Sequence, residues 1–148
     1  MDETLLDVIK LIAAYLLALP VGWQRETEAH AVGVRTFPLV AMASCGYILM
    51  ATPLGHPSVD ATSRVMQGLV AGMGFIGGGA ILKSEGTVHG TSTAASIWNM
   101  GVIGAAVATN RWWLAVVLAA VNLFALRVLL PLKQKLDSRQ ELEKRLEP

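Results

Sequence analysis

Long apolar runs separated by short polar segments dominate the chain. Five such runs cover residues 5–21, 37–54, 65–82, 91–108 and 112–130. A helix that crosses a bilayer needs about 20 mostly apolar residues, with a range of about 17–25. Four of the runs reach this length, and the run at 91–108 does so only by including the polar residues at its start. The pattern therefore predicts about five helices joined by short loops.

Composition agrees with a membrane location. Hydrophobic residues make up 53% of the 148 residues and charged residues 16%, with a mean hydropathy of +0.51. A soluble domain is usually about 45–50% apolar and about 25% charged. The net charge of +1 creates no overall field that favours nucleic acid, so we expect a lipid bilayer and no nucleic acid among the partners.

The Lys and Arg residues predict how the helices are oriented. Cytoplasmic loops carry an excess of these residues. With five spans, eight of them fall on the side of the first loop, the third loop and the C-terminal tail, against two or three on the other side. The sequence predicts an all-α membrane protein with a compact glycine-rich bundle in residues 1–132 and a charged cytoplasmic tail in 133–148. Its N-terminus should lie outside and its C-terminus in the cytoplasm.

The stretch GMGFIGGG, residues 72–79, matches the dinucleotide-binding pattern G-x-G-x-x-G in its first six residues. That pattern needs a preceding strand and an acidic residue about 20 positions later, where this chain has Ser92. Glycines four residues apart instead form grooves in which another helix backbone comes close. The cluster therefore predicts tight packing, with the fourth helix or across a subunit boundary, or else a bend. The residues concerned are Gly68, Gly72, Gly74, Gly77, Gly78 and Gly79.

Polar residues at the ends of the helices and inside the fourth helix form the second candidate feature. Arg25, Glu26 and Arg35 fall on the predicted cytoplasmic side, where they could form salt bridges or simply lie at the interface. Asn99 interrupts an apolar run, and polar groups in a bilayer usually find a partner. We expect a polar network that fixes or switches the conformation. Its predicted members are Arg25, Glu26, Arg35, Thr36, Asp60, Arg64, Thr93 and Asn99.

Asp60 and Arg64 stand four residues apart, which allows an ion pair along one helix face. Asp60 alone is a weak candidate for binding Mg²⁺, because that ion prefers oxygen ligands and keeps most of its water. The single cysteine, Cys45, and the three histidines show no spacing typical of a metal or catalytic site. We therefore expect no enzymatic activity, no catalytic residue and no cofactor.

The ordered motifs resemble the membrane domain of the MgtC/SapB family of bacterial inner-membrane proteins. The resemblance is carried, in order, by Gly22-x-x-Arg25-Glu26, Gly33-Val-Arg35-Thr36, Arg64, the glycine-rich stretch 72–82 and Gly90-x-x-Thr93-Ala94-Ala95-Ser-Ile-Trp98. It covers nearly all of the chain up to the fifth helix. The chain departs from the family pattern near Arg64: Asp60 stands four residues before it rather than three, and Gln67 stands three residues after it rather than four. Without the soluble C-terminal domain of longer members, it is similar to the short form.

The resemblance implies a multi-pass protein of the bacterial inner membrane that is linked to growth in low magnesium and to virulence-type stress. One interpretation is a non-enzymatic regulator that binds membrane partners, such as a membrane ATPase or a transporter. The alternative is a small transporter or channel for Mg²⁺ or another solute that works as a homo-oligomer. Five short helices are few for a self-contained transporter, so a dimer is expected in either case.

Overall fold

Five α-helices account for most of the described chain. The computed structural model describes residues 2–29, 33–52, 59–84 and 87–129. The helices are α1 (Glu3–Ala29), α2 (Thr36–Ala51), α3 (Val59–Gly79), α4 (Thr91–Ala108) and α5 (Trp112–Phe124). A π-helical turn (Ala125–Leu129) continues α5, and two short strands, β1 (Leu82–Ser84) and β2 (Thr87–His89), separate α3 from α4. The predicted tail, 133–148, lies outside the described residues.

The observed helices follow the predicted runs but differ at their ends. The bounds of α4 coincide with the prediction. Helix α1 continues beyond Val21 to Ala29, so Arg25 and Glu26 lie on the helix instead of following it. Helix α3 begins at Val59 rather than residue 65 and ends at Gly79. These extensions consist mostly of polar residues, which form helices readily but leave no trace in an apolar pattern.

A β-hairpin between α3 and α4 was not predicted. Its strands pair antiparallel, with Lys83 opposite Val88. Strands of three residues are too short to show a clear alternation of apolar and polar positions. Gly90 follows the hairpin with φ of +83°, and a Cβ atom there would collide with the carbonyl oxygen of Ala80. Glycine at this position therefore brings the start of α4 against the end of α3.

Helix α4 forms the centre of the bundle and packs against the other four helices. The side chains of Met100, Ile103 and Val107 on α4 are completely buried, as are Phe37 and Ile48 on α2. Much of the remaining core consists of small residues on α1, α2 and α4, which allow the helix backbones to approach each other. The core is therefore an α1–α2–α4 layer, with α3 and α5 packed on α4.

The outside of the bundle is apolar. Phe75 is 86% exposed, Met50 81% and Trp113 70%. Large apolar side chains on the outside and small ones between the helices suit a lipid surrounding, because helices associate in a bilayer by close packing. Two helical segments among the described residues are long and apolar enough to cross a membrane, Glu3–Glu26 and Trp112–Leu129. The all-α fold is confirmed, whereas the number of spans and their orientation stay predictions.

Candidate functional site

A buried arginine joins α1 to the beginning of α4. Ala14, Ala18, Val21 and Arg25 recur at helical spacing, so they share the face of α1 that is buried in the bundle. The Nε atom of Arg25 donates a hydrogen bond of 2.8 Å to Oγ1 of Thr93. Arg25 is only 6% exposed and Thr93 only 5%. A positive charge is therefore held inside the bundle, at the first turn of α4.

Next to this contact, the segment that precedes α2 packs directly against the backbone of α1. A Cβ atom on Gly22 would lie 2.6 Å from the carbonyl oxygen of Gly33, so the two backbones touch. Oε2 of Glu26 accepts a 2.7 Å hydrogen bond from the backbone N–H of Val34. The sequence suggested a salt bridge between Glu26 and an arginine. The structure instead uses the Glu26 carboxylate to hold the segment that leads into α2.

A third polar contact ties the same end of the bundle to α5. Nε of Arg127, in the π-helical turn, donates a 2.9 Å hydrogen bond to Oε1 of Gln24 on α1. Together with Arg25 and Glu26, these residues form a polar cluster where α1 and α5 end and α4 begins. We call these contacts of Gln24, Arg25, Glu26, Val34, Thr93 and Arg127 the polar end cluster.

Two asparagines connect α4 and α5 closer to the middle of the bundle. Nδ2 of Asn99 donates to the backbone oxygen of Leu118 at 3.2 Å. Ser96 donates to Oδ1 of Asn122 at 3.0 Å, and both residues are buried. Asn99 was predicted to find a polar partner, whereas Asn122 was not predicted to have a role. The same signal, an amide side chain inside an apolar run, could have identified it.

The remaining predicted members of the network lie apart from the polar end cluster. Asp60 and Arg64 form an ion pair of 3.1 Å at the opposite end of the bundle, and both side chains are 77% exposed. Arg35 is exposed and precedes the first residue of α2, Thr36, which is half-buried. The eight residues therefore divide into separate groups, because α3 begins at the end of the bundle where α1 also begins, far from Arg25.

Metal binding finds little support among the described residues. Across 2–29, 33–52, 59–84 and 87–129, no three His, Cys, Asp or Glu side chains come close enough to hold a metal ion. Asp60, the weak candidate, contacts Arg64. His30 and His56 lie outside the described residues.

The glycines of α3 differ sharply in their surroundings. A Cβ atom on Gly77 would lie 3.4 Å from the carbonyl oxygen of Ala94, so this glycine packs on α4 as predicted. Five others have no neighbouring atom within 4 Å of a Cβ position: Gly68, Gly72, Gly74, Gly78 and Gly79. Helix α3 runs unbroken through the whole cluster, so there is no break at these glycines.

Gly68 and Gly72 border an apolar groove of about 520 Å³ between α2 and α3. Val40 and Tyr47 of α2 line its other wall. We call Gly68 and Gly72 the glycine stripe of α3. The predicted close approach of another backbone to this stripe is therefore not made by α4. The stripe is available to a molecule outside the described chain.

Comparison with known proteins identifies a family. The model of the MgtC family matches residues 11–135. Protein SrpB of Synechococcus elongatus is 34% identical over 120 residues, which cover 73% of this chain and 66% of that protein. The putative magnesium transporter YhiD of Escherichia coli is 30% identical over 128 residues, or 82% of this chain and 59% of YhiD.

Protein MgtC of Salmonella typhimurium is 34% identical over 97 residues, which cover 66% of this chain and 41% of MgtC. The chain thus spans between about two-fifths and two-thirds of the length of these relatives. No solved structure matches it. The family match covers most of the sequence, including every residue of the polar end cluster and the whole glycine stripe. On this basis the chain belongs to the MgtC family.

Proposed function

We propose that this chain is a non-enzymatic, magnesium-related protein of the bacterial inner membrane that regulates membrane partners by binding them. The link to magnesium rests on the family and on the relative described as a putative magnesium transporter. The membrane location rests on the two apolar helices and on the apolar outer surface. The remaining question is whether such a protein binds partners or moves a solute.

The filled interior of the bundle favours binding. Ile48, Met100 and Ile103 are 0% exposed and occupy the centre between α2 and α4. A path for a hydrated cation needs polar groups along its length. The buried side-chain hydrogen bonds of the described residues instead lie at the end where α4 begins and between α4 and α5, away from this centre. Within the described residues, the space between α2 and α4 therefore has no continuous polar lining, and this observation supports the proposal.

The outer face of α3 is the partner surface that we propose. Only Met73 and Gly77 of this helix are buried, and Phe75, on the same side of the helix as Gly68 and Gly72, is exposed. Gly68 and Gly72 offer a small-residue stripe without steric obstruction. Small residues four apart are typical of helix–helix contacts in membranes. The occupants that we expect are a second copy of the chain, as a dimer, and a helix of a membrane ATPase or transporter.

Proteoliposomes loaded with a Mg²⁺-sensitive dye test the choice between regulation and transport. We expect folded wild-type protein to give no Mg²⁺ flux above empty liposomes. Crosslinking in the native membrane should retrieve a membrane ATPase or a transporter with wild type, and less of it with Gly72→Leu. The matched control is Val117→Leu, which changes an exposed apolar side chain on α5. Saturable Mg²⁺ flux that depends on the protein would contradict the proposal.

The second candidate function is transport by a homo-oligomer. It is favoured by the name of the relative YhiD and by the open glycines of α3, which could line a path only between copies. In that case Gly72→Leu should abolish both the oligomer and the flux. Asn99→Ala, which removes a contact inside one copy, should leave flux intact if the protein stays folded.

A further inference from the structure

Helix α3 has a second exposed face, about a quarter of a turn away from the glycine stripe. Its members recur at helical spacing and are all exposed; they are Asp60, Arg64, Gln67, Ala71, Gly74 and Gly78. Leu69, two residues from both Gln67 and Ala71, lies on the opposite side and packs against the core, because each residue turns the helix by about 100°. We call the six exposed residues the Gln67 face.

The Gln67 face differs from the surfaces that α1 and α5 turn outward. Those helices expose large apolar side chains such as Ile12, Leu16, Val121 and Phe124, each more than half exposed. The Gln67 face consists of two charged residues, one amide and three small residues. Small residues and polar side chains that hydrogen-bond across helices are typical of helix–helix contacts in membranes. The composition therefore indicates contact with a protein helix rather than with acyl chains.

The position of Gln67 along α3 strengthens this conclusion, which rests on the proposed function because that function places the bundle in the inner membrane. The 21 residues of α3 span about 31 Å, close to the ~30 Å of a hydrocarbon core. Gln67 lies about 12 Å from the first residue, Val59, at about 1.5 Å per residue. An exposed amide at this depth would meet acyl chains, which offer no hydrogen-bond partner.

We propose that the Gln67 face binds the same face of a second copy, with the two α3 helices parallel about a two-fold axis. In such an isologous contact, each residue near the axis meets its own counterpart. A glutamine amide both donates and accepts, so the Gln67 side chains of the two copies satisfy each other. Ala71, Gly74 and Gly78 let the two backbones approach closely over the following turns.

The charges at the start of the Gln67 face favour a second copy over an unrelated helix. Asp60 and Arg64 form an exposed ion pair of 3.1 Å. Two-fold pairing places two carboxylates and two guanidinium groups at the same level, where they alternate in sign and compensate each other. An unrelated helix needs matching charges of its own, whereas a second copy always carries them. The glycine stripe, on a different side of α3, then stays open for a membrane partner.

Cysteine crosslinking in inner-membrane vesicles tests the contact. The native thiol, Cys45, is completely buried, so wild type should form no disulfide-linked dimer. On oxidation with copper phenanthroline, we expect Gln67→Cys and Ala71→Cys to give several times more dimer than Val121→Cys. Val121 is the matched control because it is exposed on α5 at a similar depth, about 13 Å from Trp112, the first residue of that helix.

Gly72→Cys tests the neighbouring side of the same helix and should give no more dimer than Val121→Cys. Dimer from Gly72→Cys alone would overturn the Gln67 face in favour of the glycine stripe, and the partner surface of the proposed function would still stand. No excess of dimer from either Gln67→Cys or Ala71→Cys would also overturn the proposal. That result, together with reaction of Gln67→Cys with a membrane-impermeant thiol reagent, would assign the face to a water-filled path instead.

Charge reversal tests the ion pairs separately from the fold of α3. Arg64→Asp gives each copy two carboxylates, and Asp60→Arg gives each copy two guanidinium groups. Energy transfer between labelled copies in liposomes should show about tenfold weaker self-association for each variant, because like charges meet. A mixture of the two variants should associate like wild type, since opposite charges then face each other. A mixture as weak as each variant alone would overturn the pairing of the two faces.

Gln67→Leu distinguishes a failure of this contact from a failure of the proposed function. We expect its self-association to fall about tenfold, the effect of an interhelical hydrogen bond in a membrane. Its unfolding in detergent should match wild type, because the side chain is exposed. Retrieval of a membrane ATPase or transporter should fall less than with Gly72→Leu. Unchanged self-association would overturn the contact, while loss of retrieval with Gly72→Leu would still support the proposed function.

Discussion

Most glycines of α3 and Gly104 of α4 have opposite surroundings. Five of the α3 glycines face open space. A Cβ atom on Gly104 would collide with the carbonyl oxygen of Ala41 and lie 2.8 Å from Cβ of Ser44. The closest helix–helix contact at a glycine therefore occurs between α2 and α4, far from the densest glycine sequence. A cluster of glycines allows another helix backbone to come close, but the position of the neighbouring helix determines where such a contact forms.

The difference arises from how many faces of each helix are covered. Helix α4 has neighbours on several sides, so a small residue on it meets another backbone. Helix α3 packs along the one face that carries Val65, Leu69, Met73 and Gly77, which recur every four residues. Its other faces are left open to lipid or to a partner. Substitutions of glycine should therefore have clearly different effects on the free energy of unfolding in the two helices.

Gly104→Leu should have the largest effect. The new side chain would overlap the backbone of α2 at Ala41 and at Cys45, whose nitrogen lies 2.9 Å from the Cβ position. Backbone atoms cannot move aside as the end of a flexible side chain can. We expect a loss of about 3 kcal/mol or more in the free energy of unfolding. Unfolding by SDS titration, followed by far-UV circular dichroism, measures it, and a loss below that of Gly72→Leu would contradict the comparison.

Gly22→Ala should come next. The added methyl group would lie 2.6 Å from the carbonyl oxygen of Gly33 and force α1 away from the start of α2. The hydrogen bond from Val34 to Glu26 spans the same junction and should weaken. We expect about 2 kcal/mol of destabilisation from overpacking. Gly33→Ala probes the same contact from the other side, and the double variant should cost less than the sum of the two single changes.

Gly72→Ala should have the opposite sign. Nothing lies within 4 Å of the new methyl group, and alanine is better than glycine in a helix by about 1 kcal/mol. We expect the monomer to gain up to about that amount in the same SDS titration, carried out in dilute detergent. A loss of stability under these conditions would mean that the stripe is packed within one copy. Gly68→Ala, one turn earlier, is the matched repeat.

Gly101→Ala should have the smallest effect, although its Cβ position is crowded. The crowding atom is the terminal methyl group of Met73, the end of a flexible side chain. The cost of moving it should roughly cancel the gain of about 1 kcal/mol in helix propensity. We expect the free energy of unfolding to change by less than about 0.5 kcal/mol. With leucine in place of Met73, Gly101→Ala should lower the free energy of unfolding.

The candidate site was only partly accessible from the sequence. The motif around Arg25 and Thr93 identified both members of the buried contact, because they stand out as polar residues at the ends of apolar runs. The role of Glu26 was not foreseen, since its partner is a backbone N–H, which every residue except proline carries. Asn122 carries the same sequence signal as Asn99, an amide inside an apolar run, but its partner, Ser96 on another helix, is not visible in the sequence.

The helical class, the approximate helices and the family follow from the sequence alone, because apolar runs of this length and an ordered set of motifs are local properties of the chain. Which helix is central, which glycine is crowded and which polar residues meet follow only from the packing of the helices. Those outcomes depend on contacts between residues such as Arg25 and Thr93, 68 positions apart. Such contacts form between helix faces, and the spacing within one helix does not specify the face of another.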